Sequence, residues 1–388
     1  MAGTKGTAVV AEVGWANGVA AIRSLGRHGV GVIAVDNKTY ALGFRSRYAE
    51  PRLAPDPIDD EDGYIAVLKA IAAETDDDVL PIFPTHDEHL NALARHTSDL
   101  AATPGSGTGV ARYRFPFPSW DVLESIQSKR HQLDTAESIG FPIPRTFHPR
   151  TAEEAKAAGA ELGFPLIVKP AANVGFRRTH KVQLFRCENA AELARAYEEA
   201  APFEPMVQEL IPGGAEAMFT LGSYLSADGE PLGLFSGRKV RQTRGFMGVA
   251  RVSEAVWVDE VVEQGLALLR ALSFNGLSQV EMIRDPRDGR YKLIEVNPRL
   301  WLWHGLAAAV GVDLPWIAYR DLIGDPLPPV LKHESGKRWA VTVMAGAPHA
   351  LQRGRYVEAF LAKDDPKPAL AHFARVTLHG VRRMTDRG

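Results

Sequence analysis

The sequence predicts an α/β domain followed by an α+β region, and three observations predict it. A strand, a helix and a second strand succeed one another within residues 7–36. A Gly/Pro-rich stretch closes this segment near residue 118. From residue 206 onward, short antiparallel-looking strands alternate around a single helix. The first strand is TAVVAEV (7–13). NGVAAIRSLGRHG (17–29) has apolar positions at helical spacing and stops at Gly29, and VGVIAVD (30–36) returns as a strand ending at Asp36. This is the βαβ unit of a parallel sheet. VLPIFPT (79–85) reads as a further strand, with a helix from His86 for which Thr85 and Glu88 have capping-box spacing. ATPGSGTGVARYRFPFP (102–118) marks the edge of the domain.

A helix is expected over Ser119–Ile139, stopped by Gly140, and then an extended FPIPRTF, where two prolines forbid helix. Thr151 and Glu154 form a second capping box for a helix to about Leu162. FPLIVKP is a strand, ANVGFRRTH a basic turn and KVQLF the returning strand. NAAELARAYEEA is a helix and MVQELI a strand. One helix is expected near Asp259–Leu272. GLSQVEMIRD and GRYKLIEVNPRL are two strands joined by the turn sequence DPRDG. WAVTVM and HFARVTLHGVRRM, near the end, read as a strand and a basic helix without an evident role.

Bulk properties narrow the function classes. With 388 residues, two or three domains and a sizeable core are expected. A formal charge of −2 argues against a nucleic-acid partner, yet leaves room for a local basic pocket facing a phosphorylated ligand. Cys187 is the one cysteine, which forbids an intrachain disulfide and fits a reducing compartment. No apolar run reaches membrane-spanning length, and the N-terminus reads as a first strand rather than a signal peptide, so a cytoplasmic protein without a membrane partner is expected.

Four features carry chemistry. Glu281 and Glu295 each sit inside an apolar strand, where a charge is rarely buried unless paired or metal-bound. With the amide oxygen of Asn297 they form an all-oxygen set suited to magnesium, which takes few carboxylates plus substrate phosphates. Glu295 and Asn297 are two apart and share a strand face, which Arg299 continues. Lys169 ends an apolar strand, placed to meet a phosphate, and is followed by the turn Asn173, Val174, Gly175, Phe176, Arg177, Arg178. VQELIPGG, with Glu216 just beyond, is an extended segment whose backbone could meet an adenine edge and whose acid could meet a ribose; a plain edge strand is the ordinary alternative. Arg238, Lys239, Arg241 and Arg244 crowd one strand, and alternation would put Lys239 and Arg241 on one face. A basic run is usually a solvated face, but such a face could also meet a triphosphate or an acyl phosphate. His86, Asp87 and Glu88 are candidates for a general base, with helix capping the better account of them. Trp301 and Trp303 after Arg299 read either as core or as the wall of a substrate pocket. G-x-G-x-x-G is missing from the turn at residues 13–18, which disfavours a dinucleotide-dependent dehydrogenase.

The order of these features over residues 120–320 resembles the ATP-grasp superfamily, and the first βαβ is similar to the N-terminal domain of its carboxylate–amine ligase branch, which includes D-aspartate-ligase-like enzymes. The resemblance implies a Rossmann-like pre-ATP-grasp domain (1–118), a two-lobed α+β ATP-grasp domain (119–330; small lobe 142–210, large lobe 211–330) and a C-terminal extension (331–388). It implies phosphate contacts from Lys129 and Lys169, and an adenine hinge at Gln208, Glu209, Leu210 and Ile211. It further implies a ribose contact from Glu216, magnesium ligands Glu281, Glu295 and Asn297, and a catalytic Arg299 to which Arg241 is added from the basic strand. ATP and Mg2+ (or Mn2+) would be the cofactors, and a small-molecule carboxylate and amine the substrates of a chain acting alone or as a homodimer. Activation of another carboxylate such as bicarbonate, ligation to a thiol, and a nucleotide-binding protein without catalysis are the alternatives.

Overall fold

The computed structural model describes residues 6–101, 112–171, 176, 179–180, 182–243, 248–341 and 356–385. The turn residues Asn173–Gly175, Arg177, Arg178 and also Arg244 lie outside them. The first sheet is parallel, in the order β3-β2-β1-β4-β5, with β1 Thr7–Ala11, β2 Gly31–Asp36, β3 Ala49–Leu53, β4 Val79–Pro84 and β5 Arg112–Arg114. Helix α1 (Ala16–Arg27) covers one face, while α2 (Glu61–Glu74) and α3 (Asp87–Arg95) lie on the other, with the short α4 (Thr97–Leu100) after them. Val9, Ile33, Val35 and Ile82 are buried toward α2 and α3, whereas Ala8, Val10, Val32 and Ala34 are buried toward α1. This alternation on strands that are apolar throughout is what a doubly covered parallel sheet requires.

The expected helix over 119–139 is two helices, α5 (Trp120–Gln127) and α6 (Lys129–Ser138). Ser128 breaks it: its backbone is extended and its Oγ accepts from the His131 amide at 3.3 Å, which caps a new helix. Lys129 therefore opens α6 instead of sitting in mid-helix. A four-stranded sheet follows in the order β6-β9-β7-β8, with β6 Thr146–Phe147, β7 Leu166–Lys169, β8 Phe185–Cys187 and β9 Met206–Glu209. The returning strand β8 starts only at Phe185, the last residue of KVQLF. Helices α7 (Ala152–Leu162) and α8 (Ala190–Ala200) pack together against this sheet, and Thr151 Oγ1 accepts from the Glu154 amide as the spacing predicts.

The largest sheet has seven strands in the order β14-β13-β10-β11-β12-β15-β16. They are β10 Met218–Leu225, β11 Pro231–Gln242, β12 Ala250–Ala255, β13 Gly276–Arg284, β14 Tyr291–Asn297, β15 Arg338–Ala340 and β16 Tyr356–Glu358. Helix α9 (Asp259–Ala271) buries Val261, Leu268 and Leu269 against it with α5 and α6. Short helices α10 (Gly305–Ala309) and α11 (Leu314–Leu322) fill the space between this sheet and α1 in one continuous core. Residues beyond 331 are part of the same body: β15 and β16 extend the sheet, and α12 (Lys367–Thr385) follows. Arg23 of α1 is buried, and its Nε donates to Asp365, itself fully buried, at 2.9 Å. The Arg23 guanidinium also donates to the carbonyls of Phe360 and Asp365, while Ser46 Oγ and the Arg47 amide donate to the Asp365 carboxylate. No helix among the described residues is long and apolar enough to cross a membrane.

Candidate active site

Strands β13 and β14 are antiparallel neighbours, and their register sets Glu281 directly opposite Glu295 and Gln279 directly opposite Asn297. Residues paired across an antiparallel ladder put side chains on the same face within about 5 Å of each other. Two like charges so placed repel, so the fold must answer both. Lys239 Nζ lies 3.0 Å from Glu281 Oε1, and Lys129 Nζ lies 3.3 Å from Glu295 Oε2. The amides tie the square together: Gln279 Nε2 donates to Glu281 Oε1 at 3.3 Å, and Asn297 Nδ2 donates to Gln279 Oε1 at 3.2 Å. The bulge after Glu281, where Ile294 is the extra residue of β14, keeps Glu295 on this face.

These residues line a cleft of about 350 Å³. Lys169 enters it from the end of β7 and is buried. Desolvation pushes its ammonium down to about 7, reinforced by Lys129 and opposed by Glu295. Burial raises the Glu295 carboxyl, but the Lys129 and Lys169 ammoniums outweigh it and the net direction is downward. At the end of β9 and just after it, Gln208, Glu209, Leu210 and Ile211 also line the cleft, as do Ile167, Ile283 and Ile294, which give it an apolar slot. The Glu209 carboxylate is committed elsewhere: it accepts from the Arg145 amide at 2.9 Å and from Arg287 at 2.8 Å, and Lys292 stands 3.5 Å away. Its amide is taken as well, donating to the Arg145 carbonyl at 2.9 Å, so only its carbonyl is left to face the cleft.

Two expected residues are not among those lining the cleft. Glu216 is exposed on a short 3-10 turn (Ala215–Ala217). Arg241 is exposed because bulges on either side of it break the period-two alternation that would have set it beside Lys239. Lys239 is the buried cation of that strand.

The first sheet closes the remaining side. Its strand order places β1 beside β4 with connections leaving in opposite directions, and the carboxyl ends of such a pair form a crevice. Glu12 follows β1, and its backbone takes the left-handed conformation, with φ of 64°. His86 follows β4 and lines the cleft. His86 Nδ1 is 2.8 Å from Glu12 Oε2. The expected capping box at Thr85 is not formed. The cap position of α3 is His86, and Thr85 Oγ1 donates instead to the Glu12 carbonyl at 2.6 Å. Burial raises Glu12, but His86 outweighs it and holds its carboxyl down to about 2. Burial lowers His86, and Glu12 reverses this to a net rise. Asp87 grips Arg299 with both carboxylate oxygens, on Nε and on the second guanidinium nitrogen at 3.3 Å, so the guanidinium that follows β14 has a fixed orientation. Asp36 accepts from the Val13 and Lys38 amides at 2.9 Å each and shapes the turn after β1. Trp301 and Trp303 are both 2% exposed, pack edge to face at 5.9 Å and line the cleft, so they are core and wall at once. Gly222 of β10 permits this: a Cβ there would sit 2.0 Å from the Trp301 ring.

The set unites two carboxylates, two amides, three buried lysines and a clamped arginine. Among the described residues no cluster of three or more His, Cys, Asp or Glu forms a metal site of its own. The oxygen donors on β13 and β14 still fit a hard cation that shares its coordination with phosphates and water.

Residues 253–329 match the family model described as carbamoyl-phosphate synthase L chain, ATP binding domain. A D-aspartate ligase of Enterococcus faecium (strain Aus0004) is 27% identical over 198 residues, which are 47% of this chain and 47% of the ligase, so the match spans about half the length of that relative. The biotin carboxylase domain dimer of the Hydrogenobacter thermophilus 2-oxoglutarate carboxylase, solved with MgADP, ADP and bicarbonate, superposes with a TM-score of 0.63 at 18% identity, covering 85% of this chain and 73% of that one. An L-amino acid ligase from Bacillus licheniformis superposes with a TM-score of 0.61 at 16% identity, covering 87% and 79%. Family model, relative and fold agree with the motif order read in the sequence: residues 253–329 are similar to an ATP-binding domain, and the chain has the fold of ATP-grasp proteins.

Proposed function

We propose that the protein is an ATP-dependent carboxylate–amine ligase, which phosphorylates a small-molecule carboxylate and passes the acyl group to an amine, releasing ADP and phosphate. The observation that supports this best is the face-to-face pair Glu281 and Glu295, each answered by a buried lysine in the cleft that Arg299 also lines. Phosphoryl transfer needs positioning and charge neutralisation more than a dedicated nucleophile, and this set supplies both. Glu281, Glu295 and Asn297 would hold magnesium, which manganese could replace; the ion supplies positive charge beside the phosphates. Lys129 and Lys169 bind phosphate oxygens, and Lys239 takes the role first given to Arg241. Backbone groups of Gln208, Glu209, Leu210 and Ile211 meet the adenine edge, whose ring faces fit the isoleucine slot, and the exposed Glu216 meets the ribose. Arg299, held by Asp87, orients the carboxylate and then its acyl phosphate.

On this reading the four-stranded sheet and strands β10–β14 of the seven-stranded one, all within 119–330, hold the nucleotide between them, and the domain within 1–118 borders the acceptor side. A cytoplasmic setting, and action as a monomer or homodimer, belong to the same proposal. The test is a screen of pooled carboxylates, bicarbonate included, with pooled amines. ADP and phosphate should form in equal amounts, and hydroxylamine should trap the activated acid as a hydroxamate. AMP and pyrophosphate among the products would refute the reading.

A further inference from the structure

We propose that the crevice at the carboxyl ends of β1 and β4, lined by His86, Asn17 and Trp301, receives the amine substrate, with His86 accepting its proton and Glu12 positioning His86. The proposal rests on the ligase reading above and names its acceptor site.

Three observations converge. First, Asn17 and Trp301 are 3% and 2% exposed, and both line the cleft. Yet Asn17 Oδ1 and Trp301 Nε1 have no hydrogen-bond partner within the protein. An unpartnered buried polar group is costly, so a ligand that satisfies it is favoured. Asn17 Nδ2 is fixed on the Thr85 carbonyl at 3.0 Å, which leaves its oxygen as the outward atom. An acceptor at Asn17 and a donor at Trp301 ask for a ligand bearing N–H groups and an oxygen: an amino acid or an amino alcohol. Second, these groups are tied to one another. His304 Nε2 is 3.0 Å from the Asn17 carbonyl oxygen, and the Trp301 and His304 rings are 6.0 Å apart. Third, Glu12 sits behind His86 and is not among the residues lining the cleft, so it acts through the imidazole. With Nδ1 held by Glu12, Nε2 is the ring nitrogen left to meet the amine.

The step balances. The amine arrives as an ammonium, and neutral His86 takes one proton at Nε2. The freed lone pair bonds the acyl carbon, the bond from that carbon to the phosphoryl oxygen breaks, and phosphate leaves with its electrons. The second N–H proton goes to the departing phosphate, and His86 returns its proton to solvent. The imidazolium formed meanwhile is stabilised by the Glu12 carboxylate. The other titratable groups around His86 are Asp87 and His89 of α3, the latter pushed down to about 4 by burial, and Arg299 after β14, with Asp36 beside Glu12.

The test uses the full chain with two nucleophiles: the standard amino acids as pooled amines, and hydroxylamine, which is already uncharged at neutral pH and needs no proton acceptor. In the unaltered chain amide formation should rise with pH and level off well below the pKa of the amine itself, while hydroxamate formation should not show this rise. His86→Gln should lower amide formation by about 100-fold and by at least about tenfold more than hydroxamate formation. Glu12→Gln should move the rising limb to lower pH, because Glu12 is what raises His86, and Glu12→Asp should restore it in part. If the rise continues to the amine pKa, if both nucleophiles share one profile, or if His86→Gln lowers both equally, the proposal is overturned. Should His86→Gln not fold, the two profiles of the unaltered chain decide alone. Failure of the unaltered chain to make any hydroxamate sinks the ligase reading instead, which keeps the two failures apart.

Discussion

Replacing Lys169 by methionine should make the metal-free protein more stable in mild acid while removing its activity. The Lys169 ammonium is 5% exposed at the end of β7, and desolvation holds it at about 7 instead of the ordinary 10.5. At about 1.4 kcal/mol per pH unit, that difference corresponds to a folding penalty of about 5 kcal/mol for the charged form. The sign follows from proton counting. Between pH 7 and 10.5 the unfolded chain binds the extra proton, so stability rises with pH across this window. Below pH 7 both states are protonated and the full penalty is present. Methionine keeps the length without the charge, but it also takes one of two ammoniums away from Glu295. The net gain expected near pH 6 is therefore about 2–4 kcal/mol, shrinking toward pH 9. Thermal or urea unfolding in EDTA from pH 5.5 to 9 measures it, with ADP release checked in parallel. A variant less stable than the parent at pH 6, or a difference independent of pH, would refute the argument.

Further outcomes follow from the same geometry. Glu295→Gln should leave the fold intact but lower turnover at saturating magnesium by about 10³, or about 4 kcal/mol, because it removes charge between Lys129 and the opposing Glu281. Nucleotide binding near pH 8 should take up protons as phosphate restores the Lys169 ammonium, which calorimetry in buffers of different ionisation enthalpy detects. Arg299→Lys should cost about 100-fold in kcat, since lysine cannot keep the two-point grip of Asp87. Trp303→Ala should destabilise by about 3–5 kcal/mol, read by urea unfolding, because Trp303 is buried against Phe235 as well as lining the cleft.

What the sequence made legible was the part of the site where chemistry violates its local surroundings. Glu281, Glu295 and Lys169 stand out because charge interrupts an apolar strand, and all three line one cleft. The parallel first sheet was legible for the related reason that βαβ patterning is local. Glu12, His86 and Asp87 carried no such mark. They lie at the ends of separate elements and converge only through the crossover between β1 and β4, and Thr85-x-x-Glu88 imitates a helix cap. Arg241 and Lys239 could not be told apart because a bulge leaves no trace in residue type. Ser128 ends α5 and caps α6 within a stretch that has no glycine or proline to mark the break.

The bond between Arg23 and Asp365 joins residues 342 apart in the chain, and this orders events during synthesis. At about 5–20 residues per second, α1 would wait roughly 20–70 s after its own translation for its counter-ion. Until then the nascent first sheet cannot bury the α1 face without stranding a guanidinium, at about 3–5 kcal/mol. The α1 face is thus held short of completion until Asp365 arrives. A ribosome-bound intermediate should keep that face open to chaperones until Asp365 has left the ribosome.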